Sequence, residues 1–198
     1  MTIKEHVEAI LNRSFKTLQA VYVSQKEGDA NLRTSRLSRI IFPIKREKSL
    51  RVCEQELRFV FVEQLNIEIE QGWDVFYSVE TPTEYAYSGF SSGNPKCDIN
   101  GRSGAFDLVI HDNALKRVAL LEFKAHDAKK GDYKKDFCKL ESEKRDCVFF
   151  VNILENVTKS TFRSVHEKIK DHLHGNICFR FWSLGLGKDV TKEIIEYK

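Results

Sequence analysis

At 198 residues and 23.0 kDa, with 41% hydrophobic and 31% charged residues, the chain fits one soluble globular domain with a substantial core. The formal net charge is only +3, so the total neither demands nor excludes a polyanionic partner. Five scattered cysteines, odd in number and never in a C-x-x-C pair, argue against a disulfide framework and a structural zinc site.

The start, "MTIKEHVEAIL", carries acids in its first turns and does not read as a signal peptide. The longest apolar stretches, such as "VFFVNIL", fall far short of the ~20 residues a membrane span needs. The expectation is a reduced, cytoplasmic protein that does not enter a membrane.

Ile3, Val7, Ile10, Leu11, Phe15 and Leu18 recur at helical spacing and predict a helix from residue 3 to about 24. Next comes "NLRTSRLSRIIFPIKREKSLR", with Arg33, Arg36, Arg39, Lys45, Arg46, Lys48 and Arg51 against one acid, Glu47. Pro43 should interrupt any helix there. Residues 1–48 therefore read as a helical and basic extension of a domain whose α/β core runs over 49–198.

A second helix fits "SLRVCEQELRFVFVEQL", with Ser49 as N-cap. "WDVFYSVE" reads as a strand ended by "TPTE", followed by a long polar loop from about Tyr85 to Gly104. Tyr85, Tyr87 and Phe90 in that loop could stack on bases or pack it down. "FDLVIHDNALKRVALLEFKA" is a hairpin; a helix from Asp132 to about Lys144, a buried strand "CVFFVNIL", a helix from Ser160 to about Leu173 and a strand "ICFRFWSL" complete the chain. The order from Ser49 is α-β-β-β-α-β followed by α-β, a single α/β domain with a mixed sheet covered by helices.

The hairpin poses a question, because it is the most hydrophobic in the chain and yet carries Asp107, Glu122 and Lys124. Unpaired charge is costly to bury, so these groups must be paired, metal-bound or exposed at a cleft. Folding back near Ala114–Leu115 pairs residues whose numbers sum to about 229 and sets Asp107 opposite Glu122. Two adjacent carboxylates repel unless a proton or cation sits between them. Hard oxygen ligands without clustered histidine or cysteine favour Mg²⁺, with Mn²⁺ as the alternative. Lys124 would neutralise a phosphoryl oxygen or help deprotonate a water, which together makes a parts list for metal-assisted phosphodiester hydrolysis. A cross-strand ion pair between Asp107 and Lys124 would account for the same charges more plainly.

"FD" followed by "LLEFKA" resembles the D-(x)n-E-x-K signature of the restriction-endonuclease-like, or PD-(D/E)XK, nuclease superfamily, with Phe106 in place of the nominal proline. The element order from about Ser49 to Leu154 is similar to that family's core. The resemblance implies a metal held by Asp107, Glu122 and the backbone carbonyl of Phe123, with Lys124 orienting the attacking water, and DNA favoured over RNA as substrate. It also implies a glutamate from the preceding helix. Glu54 is chosen over Glu56 because Leu57, Phe61 and Leu65 follow it on one helical stripe.

Basic residues at Lys129, Lys130, Lys134, Lys135, Arg36 and Arg39 are candidate phosphate contacts, and Lys139 shares that expectation; each also suits a solvated face. Recognition would fall to a partner or to homodimerisation, as no separate reading domain is visible. His126, the His172/His174 pair and the "GLG" near Gly185 carry no clear chemistry. Two rivals stand beside the nuclease: a non-catalytic nucleic-acid-binding or interaction protein on the same fold, and an unrelated α/β protein whose hairpin holds ion pairs.

Overall fold

The computed structural model describes residues 1–27, 38–47, 49–89 and 95–197. Its elements are α1 (Ile3–Glu27), α2 (Glu54–Glu70), β1 (Phe76–Ser88), β2 (Lys96–Cys97), β3 (Arg102–His111), β4 (Arg117–Ala125), α3 (Lys130–Ser142), β5 (Val148–Leu154), α4 (Lys159–Ile169), β6 (Ile177–Ser183), β7 (Lys188–Asp189) and α5 (Thr191–Ile195). They build one mixed sheet of seven strands among the described residues, in the order β2-β1-β3-β4-β5-β6-β7. β1, β2, β3 and β4 pair antiparallel, β4-β5-β6 pair parallel, and β7 returns antiparallel.

Side-chain alternation splits the core into two layers. Ala119, Leu121 and Phe123 of β4 pack against Val7, Leu11 and Phe15 of α1 and Leu57, Phe61 and Leu65 of α2. Leu120 and, on β5, Phe150 face the other way, onto Tyr133, Phe137 and Leu140 of α3 and Val165 and Ile169 of α4. The N-terminal helix thus belongs to the core rather than decorating it. No described helix is long and apolar enough to cross a membrane.

Several boundaries differ from the sequence expectation. α2 starts at Glu54, not at Ser49, because Ser49 and Arg51 are tied back to the Pro43–Lys45 segment: Lys45 N–H donates to Ser49 O (2.8 Å) and Arg51 N–H to Pro43 O (2.7 Å). Cys53 is the N-cap, and its N–H donates to Glu56 Oε2 (2.9 Å). β1 does not stop at "TPTE" but runs on to Ser88. Pro82 is tolerated because β2 covers only Tyr87 and Ser88, leaving β1 an edge strand at Pro82.

The expected loop shrinks accordingly, since Tyr85–Ser88, Lys96–Cys97 and Arg102–Gly104 are all strand. Tyr87 is buried and packs the segment down, Tyr85 is exposed, and Phe90 lies outside the described residues. β7 and α5 are additions to the expected element order.

Gly101 makes the return into β3 possible. A Cβ there would stand 2.2 Å from the backbone oxygen of Tyr87, far inside van der Waals contact. Gly101→Ala should therefore destabilise the protein by about 1–3 kcal/mol through forced backbone movement, measured as a lowered urea midpoint; an unchanged midpoint would show that this turn relaxes freely.

Candidate functional site

The hairpin register follows the expectation. Leu108 pairs with Leu121, Val109 with Leu120 and Ile110 with Ala119, numbers that sum to 229; the ladder ends at Leu108–Leu121, and Asp107 and Glu122 lie just beyond it. The tight turn is fixed by Asp112, whose Oδ1 accepts from Ala114 N–H (3.0 Å) and Lys116 N–H (2.9 Å), with Leu115 at φ 59.

At the other end the pleat breaks. Leu108 and Ile110 face α1 and α2 while Phe106 packs in the α3 layer, so strict alternation fails across Asp107. The facing residue of β1, Glu80, sits at φ 48 and drops out of the pairing between Val79–Leu108 and Thr81–Phe106. Freed from the ladder, the Asp107 carboxylate takes a backbone role: its Oδ2 accepts from the Phe123 N–H at 2.7 Å. The β3–β4 ladder ends here at Leu108–Leu121, and a cleft lies at the carboxyl end of β4 between α2 and α3.

Five acids, Glu54, Glu80, Asp107, Glu122 and Asp136, and three cations, Arg58, Lys124 and Lys139, cluster at this end of the sheet. Glu122 is 2% exposed, and its Oε1 is ion-paired with Lys139 of α3. Lys139 also reaches Asp136 Oδ1 (3.1 Å) and the Ala105 carbonyl (2.8 Å). Lys124 Nζ pairs with Asp136 Oδ2 (2.8 Å) and donates to its neighbour's carbonyl, Phe123 O, at 3.3 Å. Lys124 therefore bonds across to α3 and not to Asp107, so the plain cross-strand pair is not what holds it. Arg58 of α2 lies 3.9 Å from Asp107 Oδ1 and is paired with Glu80.

Of the two candidate α2 glutamates, Glu54 is the one at the cleft. It lines a cleft of about 330 Å³ with Lys124, Ala125, Ala128, Asp132, Lys135 and Asp136, whereas Glu56 is spent on the α2 cap. His126, just past β4 at φ 61, donates from Nε2 to Val52 O (2.7 Å). That bond docks the start of α2 on the end of β4 and so sets Glu54 beside Lys124. A larger hollow of about 410 Å³ lies at the opposite end of β4, among Lys4, Lys116, Arg117, Lys144 and Arg145. It holds one carboxylate, Asp146, whereas the smaller cleft gathers Glu54, Asp132 and Asp136.

Electrostatics follow from crowding. Burial, then Asp136 and Asp107, push the Glu122 carboxyl well above the usual carboxylate range, against the pull of Lys139 and Lys124. Burial also raises Glu54, opposed by the Lys124 ammonium and helped by Asp107 and Asp136. Lys124 and Lys139 are both raised: burial lowers them, but Asp136 and Glu122 outweigh it.

The candidate phosphate contacts sort by position. Lys129 and Lys130 are exposed at the start of α3, and Lys135 lines the cleft 3.7 Å from Asp132. Lys134 lines a separate hollow with Cys138 and His172. Arg39 is exposed, and Arg36 lies outside the described residues. Lys139 is neither solvated nor on a phosphate-facing surface. Asp136 is a site residue that the sequence reading misses, although it lies three residues after Tyr133 and four before Leu140 on the buried stripe of α3.

Comparison with protein-family models, with curated proteins and with solved structures finds no match to this chain. Fold and site therefore stand on the residues alone.

Proposed function

We propose that the chain is a metal-dependent nuclease hydrolysing phosphodiester bonds, with DNA as the favoured substrate and a restriction-endonuclease-like core from α2 to β5. The observation that carries this reading is the crowding at the end of β4, where the Asp107 carboxylate bonds the Phe123 N–H and acts on the Glu122 carboxyl beside Lys124, while Glu54 lines the adjoining cleft.

The donor set suits the implied ion. Asp107, Glu122, the Phe123 carbonyl and Glu54 offer only hard oxygen, as Mg²⁺ or Mn²⁺ requires. Lys139 engages Oε1 of Glu122, which leaves Oε2 for a cation. Counting Glu54, Glu80, Asp107, Glu122 and Asp136 against Arg58, Lys124 and Lys139 leaves two formal negative charges, the charge a divalent ion balances. Among the described residues no three acidic, histidine or cysteine side chains form a ready-made cage; Mg²⁺ commonly takes one or two carboxylates and keeps its waters.

When bound, such an ion lowers the pKa of a coordinated water and neutralises phosphoryl charge. Lys124, held by Asp136, orients the water and counters charge on the phosphate. Lys129, Lys130, Lys135 and Arg39 supply backbone contacts, which makes binding salt-sensitive. A homodimer or a separate partner supplies recognition. The five free thiols suit a reducing, cytoplasmic setting.

Plasmid and oligonucleotide cleavage with Mg²⁺ or Mn²⁺ against EDTA tests the reading. Cleavage is expected only with metal; a preparation that binds metal yet cleaves neither DNA nor RNA ends the enzymatic claim. One observation favours the non-catalytic rival: the Lys139 ammonium already neutralises Glu122, so the site is held together without an ion.

Metal and pH should be linked with a definite sign. Glu54 and Glu122 are raised in the fold. Their contribution to stability is thus complete below the unfolded value of about 4.3 and is lost as pH rises through their higher folded values. A divalent ion takes these carboxylates ionised and relieves that loss. At about a hundredfold over its Kd, Mg²⁺ contributes roughly 2.7 kcal/mol, and its stabilisation should be larger at pH 8 than at pH 5.5. Thermal melts with and without Mg²⁺ at the two pH values measure this, and equal shifts would exclude these carboxyls as ligands.

A further inference from the structure

Lys139 has a built place in the fold that cleavage chemistry does not explain. Its side chain is 9% exposed. The ammonium bonds Glu122, Asp136 Oδ1 and the Ala105 carbonyl, and lies 5.6 Å from the Phe106 ring centre. Gly104 makes room for the stem, since a Cβ there would come within 3.0 Å of Lys139 Cδ. The pleat break at Asp107, which swings Phe106 into the α3 layer, brings the Ala105 carbonyl and the aromatic ring to the same ammonium.

We propose that Lys139 is a resident counter-ion for Glu122 which a divalent cation must displace, so that metal loading and the position of Lys139 are mutually exclusive. The inference rests on the reading of Glu122 as a metal ligand. An ammonium tethered at contact distance competes with dissolved metal as an intramolecular ligand, independent of concentration. It carries one charge where the metal carries two. Asp136 and the Ala105 carbonyl remain to it, so exchange strands no buried charge, but losing the Glu122 anion to the metal loosens the ammonium's hold on its proton and frees reactive amine. The device lets Glu122 and Asp107 coexist when metal is scarce, and it sets the metal level at which the site fills. Lys139 acts through Glu122 and is a positioning residue.

Per-lysine acetylation of the unaltered protein, read by mass spectrometry with and without Mn²⁺ at an occupancy fixed by calorimetry, tests this directly. Lys139 should be protected in metal-free protein and react about tenfold faster or more when loaded, while exposed Lys129 serves as the unchanged reference. Lys139→Met should bind Mn²⁺ about tenfold tighter or more, and Lys139→Arg should restore the weaker binding. Binding that emerges only in Lys139→Met also supports the proposal, with a counter-ion too strong to leave at the metal levels used. Metal binding by the unaltered chain with Lys139 equally protected overturns the proposal but leaves the metal site standing. Absence of Mn²⁺ binding in both the unaltered chain and Lys139→Met overturns the proposal and the metal reading together. Because the acetylation arm needs no substitution, a variant that fails to fold does not blunt the test.

Discussion

Lys124→Ala is expected to lower DNA cleavage roughly 10³-fold, the usual loss when a positioned proton-transfer or charge-stabilising group is removed. It should do so without weakening metal binding. The ammonium lies 2.8 Å from Asp136 and 3.3 Å from the Phe123 carbonyl, beside the expected ligands but not among them. Deleting a cation next to a cation site leaves Mn²⁺ affinity intact or slightly higher. Asp107→Asn and Glu122→Gln should behave differently and lose cleavage and metal affinity together, because each removes an anionic oxygen from the donor set. Single-turnover cleavage and Mn²⁺ calorimetry on the three variants separate the two patterns. Undiminished cleavage by Lys124→Ala would assign hydrolysis to another site or another protein.

The parts of this site that are legible in the sequence share a physical cause. Asp107 and Glu122 stand out because charge inside an apolar strand demands a partner, and the hairpin register follows from its turn centre, so the Leu108–Leu121 pairing beside them is readable without coordinates. Glu54 is legible because helical periodicity ties it to Leu57, Phe61 and Leu65, all buried. The same reasoning applied to α3 finds Asp136, which shares a stripe with Tyr133 and Leu140. It is hidden by the surrounding lysines and acids, which make "GDYKKDFCKLES" look solvated throughout. Lys139 misleads for the same reason: long cationic side chains bury their stems while their sequence context reads as polar.

The fold's misses are different in kind. "TPTE" carries turn residues, but a proline on an edge strand loses no ladder bond, so β1 runs through it. Two-residue strands such as β2 and β7 have no periodicity to read. The break in alternation at Asp107 depends on the left-handed backbone of Glu80 across the sheet, a tertiary feature that no local pattern announces.

Asp136→Ala should be among the most destabilising single changes at the site, even though aspartate in a charged helix ordinarily tolerates replacement within about ±0.5 kcal/mol. Asp136 is shared by Lys124 Nζ at 2.8 Å and Lys139 Nζ at 3.1 Å. Their side chains are 16% and 9% exposed. Its loss leaves Lys139 with Glu122 and the Ala105 carbonyl, and leaves Lys124 with the Phe123 carbonyl and no bonded carboxylate. Removing one partner of a buried pair costs about 3–5 kcal/mol, which at roughly 2–4 °C per kcal/mol for a chain of this size lowers Tm by about 6–20 °C.

The pH dependence of that gap has a fixed direction. Asp136 from α3, Glu122 from β4 and Asp107 from β3 face Lys124, and Lys124 and Lys139 are both raised above the usual lysine value. Their stabilising contribution is fully present below the unfolded value of about 10.4 and is lost only as pH rises through the higher folded values. The lysines therefore add no pH dependence to the difference between unaltered protein and Asp136→Ala below about pH 9 and narrow it above about pH 10, while the Glu122 carboxyl, which Asp136 helps to raise, narrows it as pH rises through the Glu122 range. Asp136→Asn, which keeps an acceptor oxygen and loses the charge, should fall between the two. Thermal melts across that range decide the matter: a drop of less than about 2 °C would mean that the lysines find water instead, and that the ion-pair chain linking Lys124 to Glu122 does not hold the site together.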